Sequence, residues 1–127
     1  MVRDEAYINS ITELIIGCAY QVGRTLGQGF LEKVYENALC HELSKSELSV
    51  AQQYPLNVIY DGIVVGEFFA DLVVQNEVIV ELKAVKGLDA SHFSQCMNYL
   101  KATGKRVGLL INFGTSKVEI RRVVNSF

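Results

Sequence analysis

Gly66-Glu-Phe-Phe-Ala-Asp71-Leu-Val-Val-Gln-Asn-Glu-Val-Ile-Val-Glu81-Leu-Lys83-Ala-Val85 reads as two strands rich in Val, Ile, Leu and Phe, joined by a polar turn at Gln75-Asn76-Glu77. Three charged residues interrupt it: Asp71, Glu81 and Lys83. Strands this apolar belong to a core, so a charge inside them needs a partner or a task. Side chains alternate along a strand. Glu81 and Lys83 therefore share one face of the second strand, and Val78, Val80, Leu82 and Ala84 share the other. On the first strand Phe68, Ala70, Leu72 and Val74 form one set, with Phe69, Asp71 and Val73 opposite. A three-residue turn pairs Val74 with Val78 and sets Asp71 against Glu81, so that one face is wholly apolar and all three charges collect on the other. A two-residue turn would put a charge in each layer, and a one-residue slip inverts a strand, so burial favours the three-residue turn.

Two carboxylates and an ammonium gathered in this way suit Mg²⁺ or Mn²⁺, hard cations that take oxygen ligands, keep several waters and recruit phosphate oxygens. Lys83 would add positive charge for a phosphoryl transition state. The Asp-(x)9-Glu-x-Lys spacing is short enough to recur by chance. Taken alone it reads first as a cross-strand ion pair in which Lys83 neutralises Glu81 or Asp71.

Around this hairpin the chain has the size of one domain, residues 1–127, with half its residues hydrophobic. The net charge of −2 leaves no broad basic footprint, so nucleic-acid binding would have to be local or metal-mediated. There is no apolar run of membrane-spanning length and no signal-peptide pattern, so no membrane partner is expected. Cys18, Cys40 and Cys96 are scattered and odd in number, as expected of reduced thiols in a cytoplasmic protein.

The first helix is expected from a capping box at Ser10-Ile-Thr-Glu13 to a stop at Gly23. The loop Gly23 to Gly29 holds three glycines but no Gly-Lys-Ser/Thr, so it is no P-loop. A second helix is expected from Gly29 to Leu43, with Leu31, Val34, Tyr35, Ala38 and Leu39 on its apolar face. Glu32 borders that face and should look inward; as a residue of the first turn it also suits an N-terminal cap. A strand over residues 53–60 leads into an Asp61-Gly62 hairpin turn. After the charged hairpin come a helix from Ala90 to Thr103, capped by Gly104, and strands over Arg106 to Phe113 and Lys117 to Val124. His92, Gln95 and Tyr99 share a face of that helix. His92 and Cys96, with Cys40 or His41, offer a zinc alternative, but no paired CxxC or HxxxH accompanies them, and packing is the default reading. The order α-α-β-β-β-α-β-β implies an α/β (α+β mixed) domain, a mixed sheet flanked by helices.

A helix-borne Glu, the Asp…Glu-x-Lys hairpin and a following helix resemble the PD-(D/E)XK nuclease superfamily. Gly29-Phe-Leu-Glu32-Lys-Val-Tyr35 is similar to the signature of its small GxxExxY proteins, and the likeness runs from about Ile15 through Val85 to Asn98–Gly104 and Leu110–Gly114. Gln95-Cys-Met-Asn-Tyr99 resembles the Q-x-x-x-Y helix of recombination-type exonucleases. The resemblance implies a restriction-endonuclease-like core and a hydrolase of phosphodiesters dependent on Mg²⁺ or Mn²⁺. DNA stands ahead of RNA as its substrate, and a homo-oligomer is possible. By position it implies metal binding by Asp71 and Glu81, a catalytic Lys83, Glu32 as a further acid and metal ligand, and contact with DNA by Gln95 and Tyr99. Relatives usually carry His where this chain has Gly23, Pro where it has Gln28 and a basic residue where it has Phe69. A non-catalytic nucleic-acid- or protein-binding module that keeps the fold is the second reading.

Overall fold

A computed structural model describes residues 4–126. Its elements are α1 (Glu5–Leu26), α2 (Glu32–Lys45), β1 (Val50–Tyr60), β2 (Ile63–Val74), β3 (Val78–Lys83), α3 (Ala90–Thr103), β4 (Val107–Asn112) and β5 (Glu119–Val124). The order expected from the sequence is the order observed. The strands lie side by side in sequence order, antiparallel except for the parallel pair β3 and β4, which α3 connects. A parallel pair needs such a crossover, and the helix that makes it covers one face of the sheet.

Helices α1 and α2 cover the other face. Ile8, Ile11, Ile15 and Val22 of α1 and Tyr35, Leu39 and Leu43 of α2 pack on Leu72, Val74, Val78, Val80 and Leu82. On the α3 side, Cys96, Tyr99 and Leu100 pack on Ala70, Val73, Ile79 and Leu110. With helices on both faces, β3 from Val78 to Leu82 and the whole of β4 are buried. This explains why both read as nearly unbroken apolar runs.

The β2–β3 turn has the expected three residues. Val74 pairs with Val78, Val73 with Ile79 and Leu72 with Val80, while Gln75 and Asn76 adopt φ of 54°. Asp61 and Gly62 both have positive φ, the twist that a two-residue hairpin requires. Gly104 caps α3 in the left-handed conformation.

Several boundaries differ from expectation. Asp4, not Ser10, caps α1, its side chain accepting from Tyr7 N at 2.8 Å. The helix continues past Gly23 to Leu26, because the Gly27 N–H closes on the Gly23 carbonyl at 2.9 Å. Helix α2 begins at Glu32, not Gly29. Leu31 caps it without a side-chain hydrogen bond and is exposed, as is Val34, so neither belongs to the apolar face. Gly29, at φ 108°, instead belongs to a tight loop that Tyr35 closes from inside. The Tyr35 hydroxyl donates to Gly27 O at 2.6 Å and accepts from Phe30 N at 3.3 Å, and its ring stacks on Phe113 with centroids 4.6 Å apart. The Gly and Tyr of the Gly-x-x-Glu-x-x-Tyr pattern are thus structural: one turns the chain and the other pins the turn.

The expected alternation also fails at one place. Ala70 and Leu72 have the same parity yet join opposite core layers, Ala70 toward α3 and Leu72 toward α1 and α2. On β1, Gln52 reaches Glu36 of α2, whereas Tyr54 and Leu56 pack toward α3. Both strands change layers between these positions, where Gln53 has φ 54° and no ladder pair joins it to Asp71.

Beyond the end of β3 the chain is pinned by Asn112. Its buried amide accepts from Val85 N and Gly114 N and donates to Val85 O, each at 3.0 Å, and donates to Glu119 at 3.1 Å. Gly114 lies so close that a Cβ there would sit 2.2 Å from the Val85 oxygen. Gly114→Ala is expected to destabilise the fold by about 3 kcal/mol in urea unfolding. Gly87→Ala, where a Cβ meets nothing within 4 Å, should stay within about 0.5 kcal/mol of the parent.

Candidate active site

The β2–β3 ladder stops at Leu72 and Val80, one step short of the charged residues. Side chains then take over the pairing. The Asp71 N–H donates to Glu81 Oε2 at 2.7 Å, and the Leu82 N–H donates to Asp71 Oδ2 at 2.8 Å. Each strand thus satisfies an open backbone donor with the other strand's carboxylate, as buried N–H groups demand. The exchange fixes both carboxyl groups side by side and leaves Glu81 Oε1 without a hydrogen bond among the described residues.

Glu81 is only 3% exposed, and Asp71 is half-buried. Loss of water, followed by the negative charge of Asp71, pushes the Glu81 carboxyl up to about 8 from its ordinary 4.5, against the pull of the Asp71 N–H and Lys83. Asp71 is also raised, first by burial and then by the charge of Glu36, with Glu32 adding to it. The pair thus retains a proton above the normal carboxylate range, seated on the more deeply buried Glu81.

Lys83 makes no ion pair with either acid among the described residues. Its Nζ donates to Gln95 Oε1 on α3 at 3.0 Å, and Gln95 Nε2 lies 3.5 Å from the Tyr99 hydroxyl. The cross-strand ion pair that spacing alone suggested is therefore absent. Phe113 N binds the Lys83 carbonyl at 2.9 Å, so the lysine projects from a fixed backbone. Burial, reinforced by Glu81 and Asp71, raises the Tyr99 hydroxyl, which stays a neutral donor. Asp71, Glu81, Lys83, Gln95 and Tyr99 form one continuous group.

Glu32 does not look inward. It opens α2 and is exposed, close enough for its charge to raise both Asp71 and Glu81. One turn later, Glu36 occupies the inward position at 3% exposure. It pairs with Lys33 at 2.9 Å and accepts from Gln52 at 2.6 Å and from Gln53 at 3.0 Å; Gln53 also reaches Asp71 Oδ1 at 3.5 Å. Sequence reading overlooked Glu36, Gln52 and Gln53. Glu36 had a usable signal, lying between Tyr35 and Leu39 on the apolar face; the glutamines had none.

The zinc alternative does not assemble. His92 Nδ1 accepts from Asp89 N at 3.0 Å as part of the α3 cap, and Cys96 packs on the α3 side while Cys40 packs on the opposite side. Burial pushes the Cys96 thiol up to about 12, a protonated core sulfur. Among the described residues no group of three or more His, Cys, Asp or Glu side chains forms a metal cage. Two strained carboxylates supplying only oxygen fit a hard divalent cation that keeps waters or phosphate as its remaining ligands.

Two solved structures share this architecture. SSO0001 superimposes with a TM-score of 0.59 at 17% identity, over 96% of this chain and 61% of its own. An alkaline exonuclease from Laribacter hongkongensis gives 0.56 at 12% identity, over 99% of this chain and 73% of its own. The chain thus spans about three fifths of the length of the first and three quarters of the second. At the level of sequence, the family model of the PD-(D/E)XK nuclease superfamily matches residues 9–123, and the chain belongs to that superfamily. No curated protein matches it.

Because Glu81 keeps its proton in the folded state up to about pH 8 but loses it near 4.5 when unfolded, stability should fall as pH rises through that window. In chelator at about pH 9, Glu81→Gln should exceed the parent by on the order of 2–4 kcal/mol, with little difference below about pH 4.5. Denaturant melts across pH provide the measurement.

Proposed function

We propose that this domain is a divalent-metal-dependent nuclease, using Mg²⁺ or Mn²⁺ to hydrolyse phosphodiesters, DNA ahead of RNA. The observation that carries the reading is the Asp71–Glu81 pair, clamped by reciprocal backbone hydrogen bonds, beside a lysine that neither acid neutralises. Asp71 and Glu81 would hold the ion, which when bound polarises a phosphoryl oxygen and acidifies its water. The exposed Glu32 would serve as the further acid, through water at the outer edge of the site. Lys83, steered by Gln95, would donate to the attacked phosphate as charge develops, with Tyr99 as a neutral donor beside it. The Gly29 turn and the Tyr35 anchor support placing the chain with the small GxxExxY proteins of the superfamily. The net charge of −2 favours a second reading, a binding module that retains the fold without cleavage.

The acids and the lysine have separable tasks. Asp71→Asn and Glu81→Gln should abolish both the thermal shift produced by Mn²⁺ and cleavage of labelled oligonucleotides, because a neutral amide is a poor ligand for such an ion. Lys83→Ala should keep or strengthen the Mn²⁺ shift while losing on the order of 10²- to 10³-fold in cleavage rate. A wild-type protein that binds Mn²⁺ and cuts neither DNA nor RNA would move the assignment to the binding module.

A further inference from the structure

A groove of about 1050 Å³ runs between α3 and the outer half of the β1–β2 hairpin, and Gln95 and Tyr99 belong both to its lining and to the acid–lysine group. Its two walls differ in kind. The α3 wall presents Ser91, Ser94, Asn98 and Lys101, spaced three or four apart on one helical face. Within a chain of 14 acidic residues, the whole of α3 has none. The hairpin wall is mostly apolar, formed by Val58, Ile59, Val65 and Phe68 with Asn57 as its one polar side chain, and Val65 is 59% and Phe68 45% exposed. The Phe68 ring leans on Tyr99 with centroids 5.9 Å apart, so the apolar wall reaches the edge of the site.

We propose that this groove receives a single, unpaired nucleic-acid strand, its phosphates along α3 and its bases against the hairpin. The proposal deepens the nuclease reading and rests on it for the chemistry. A strand has a charged, hydrogen-bond-accepting edge and a flat apolar face, and the groove has the complement of each. Ser94, Asn98 and Lys101 meet the first, while Ser91 at the end of the groove already donates to the capping Asp89; Phe68 and the apolar side chains of the hairpin meet the second, aromatic stacking being indifferent to base identity. A duplex offers the groove much less, since its bases are stacked inside and only its backbone faces outward, leaving the apolar wall with nothing to cover it. A partner protein would satisfy the apolar wall but leaves the continuity with Lys83 unexplained.

The test is fluorescence anisotropy in chelator, with a labelled oligothymidine of about 15 nucleotides and a duplex of equal length. The single strand should bind at least about ten-fold more tightly, and Phe68→Ala should weaken it by roughly 5- to 150-fold. Because Phe68 also touches Tyr99, a second pair of variants is placed on the exposed surface of α3. Asn98→Glu should weaken strand binding several-fold, and Asn98→Lys should strengthen it and steepen its salt dependence. Equal or tighter binding of the duplex, or strand affinity unchanged in Phe68→Ala and Asn98→Glu, overturns the proposal. So does a self-associating protein that binds no strand and becomes monomeric with Val65→Asp, which would assign the groove to a second copy. The two readings fail separately. Wild type that cleaves while the groove variants cleave single strands equally well removes the groove and keeps the nuclease; a strand bound through Phe68 and Asn98 but never cut does the reverse.

Discussion

Two hydrogen bonds of 2.7 and 2.8 Å, in which β2 and β3 each give a backbone N–H to the other's carboxylate, govern the arrangement of this molecule. They stand where the next rungs of a ladder would be. A continued ladder would have satisfied the same donors with carbonyl oxygens and left both carboxyl groups buried without partners, an arrangement costing several kcal/mol. The exchange instead lets the strands part at the site while no buried N–H is lost. The cost is electrostatic, since two acids held together out of water push Glu81 to about 8. A structure built for stability alone would carry an apolar residue there, and this electrostatic cost is what supports the proposed reading of the pair as part of a functional site.

Much of this was legible. The apolar parity of Val74, Val78, Val80 and Leu82 dictated the three-residue turn and so the juxtaposition of Asp71 with Glu81. The Asp61-Gly62 and Gly104 signals carry a backbone requirement that few other residues meet. The change of layer between Ala70 and Leu72 was not legible, for a definite reason: Phe68, Ala70, Leu72 and Val74 are all apolar, so a strand that switches its buried face has the same pattern as one that does not. Glu32 was misplaced by a related degeneracy. Glu32 and Glu36 lie four apart on one stripe, but with α2 starting at Glu32 and not Gly29, Glu32 stands in the exposed first turn and Glu36, one turn on, is the acid that is buried. Helix periodicity locates a stripe, whereas the cap locates the start, and Leu31 gives no capping signal.

The parts of the site differ in how firmly they are held. Lys83 lies on a buried strand whose end is locked by Asn112 and by the close approach of Gly114 to Val85. Tyr35 and Phe113 form a stacked buttress between the glycine loop and that same junction, and Gln28 adds a tether to the Gly114 carbonyl at 3.0 Å. The glycine loop therefore braces the segment into which β3 and β4 discharge. By contrast Gln95 and Tyr99 come from a helix, Gln95 partly exposed and Tyr99 buried against the sheet. Their positions depend on the registry of α3 over Ile79 and Leu110, set by packing of Cys96 and Leu100.

Gln53 shows where the strain of this design resides. A non-glycine residue at φ 54° in a strand costs on the order of 1–2 kcal/mol. It stands between the pairs Gln52–Leu72 and Tyr54–Ala70, where both strands change layers beside Asp71. Its side chain answers the strain by bonding Glu36 at 3.0 Å and reaching Asp71 at 3.5 Å. Glu36 in turn can be buried because Lys33 and Gln52 complete its partners. The twist that lifts Asp71 out of a regular ladder is thus stabilised by a polar network that itself depends on α2 being docked. Helix α2 therefore contributes to the site less through its first acid than through Glu36, which holds β1 and β2 in the conformation that brings Asp71 to Glu81.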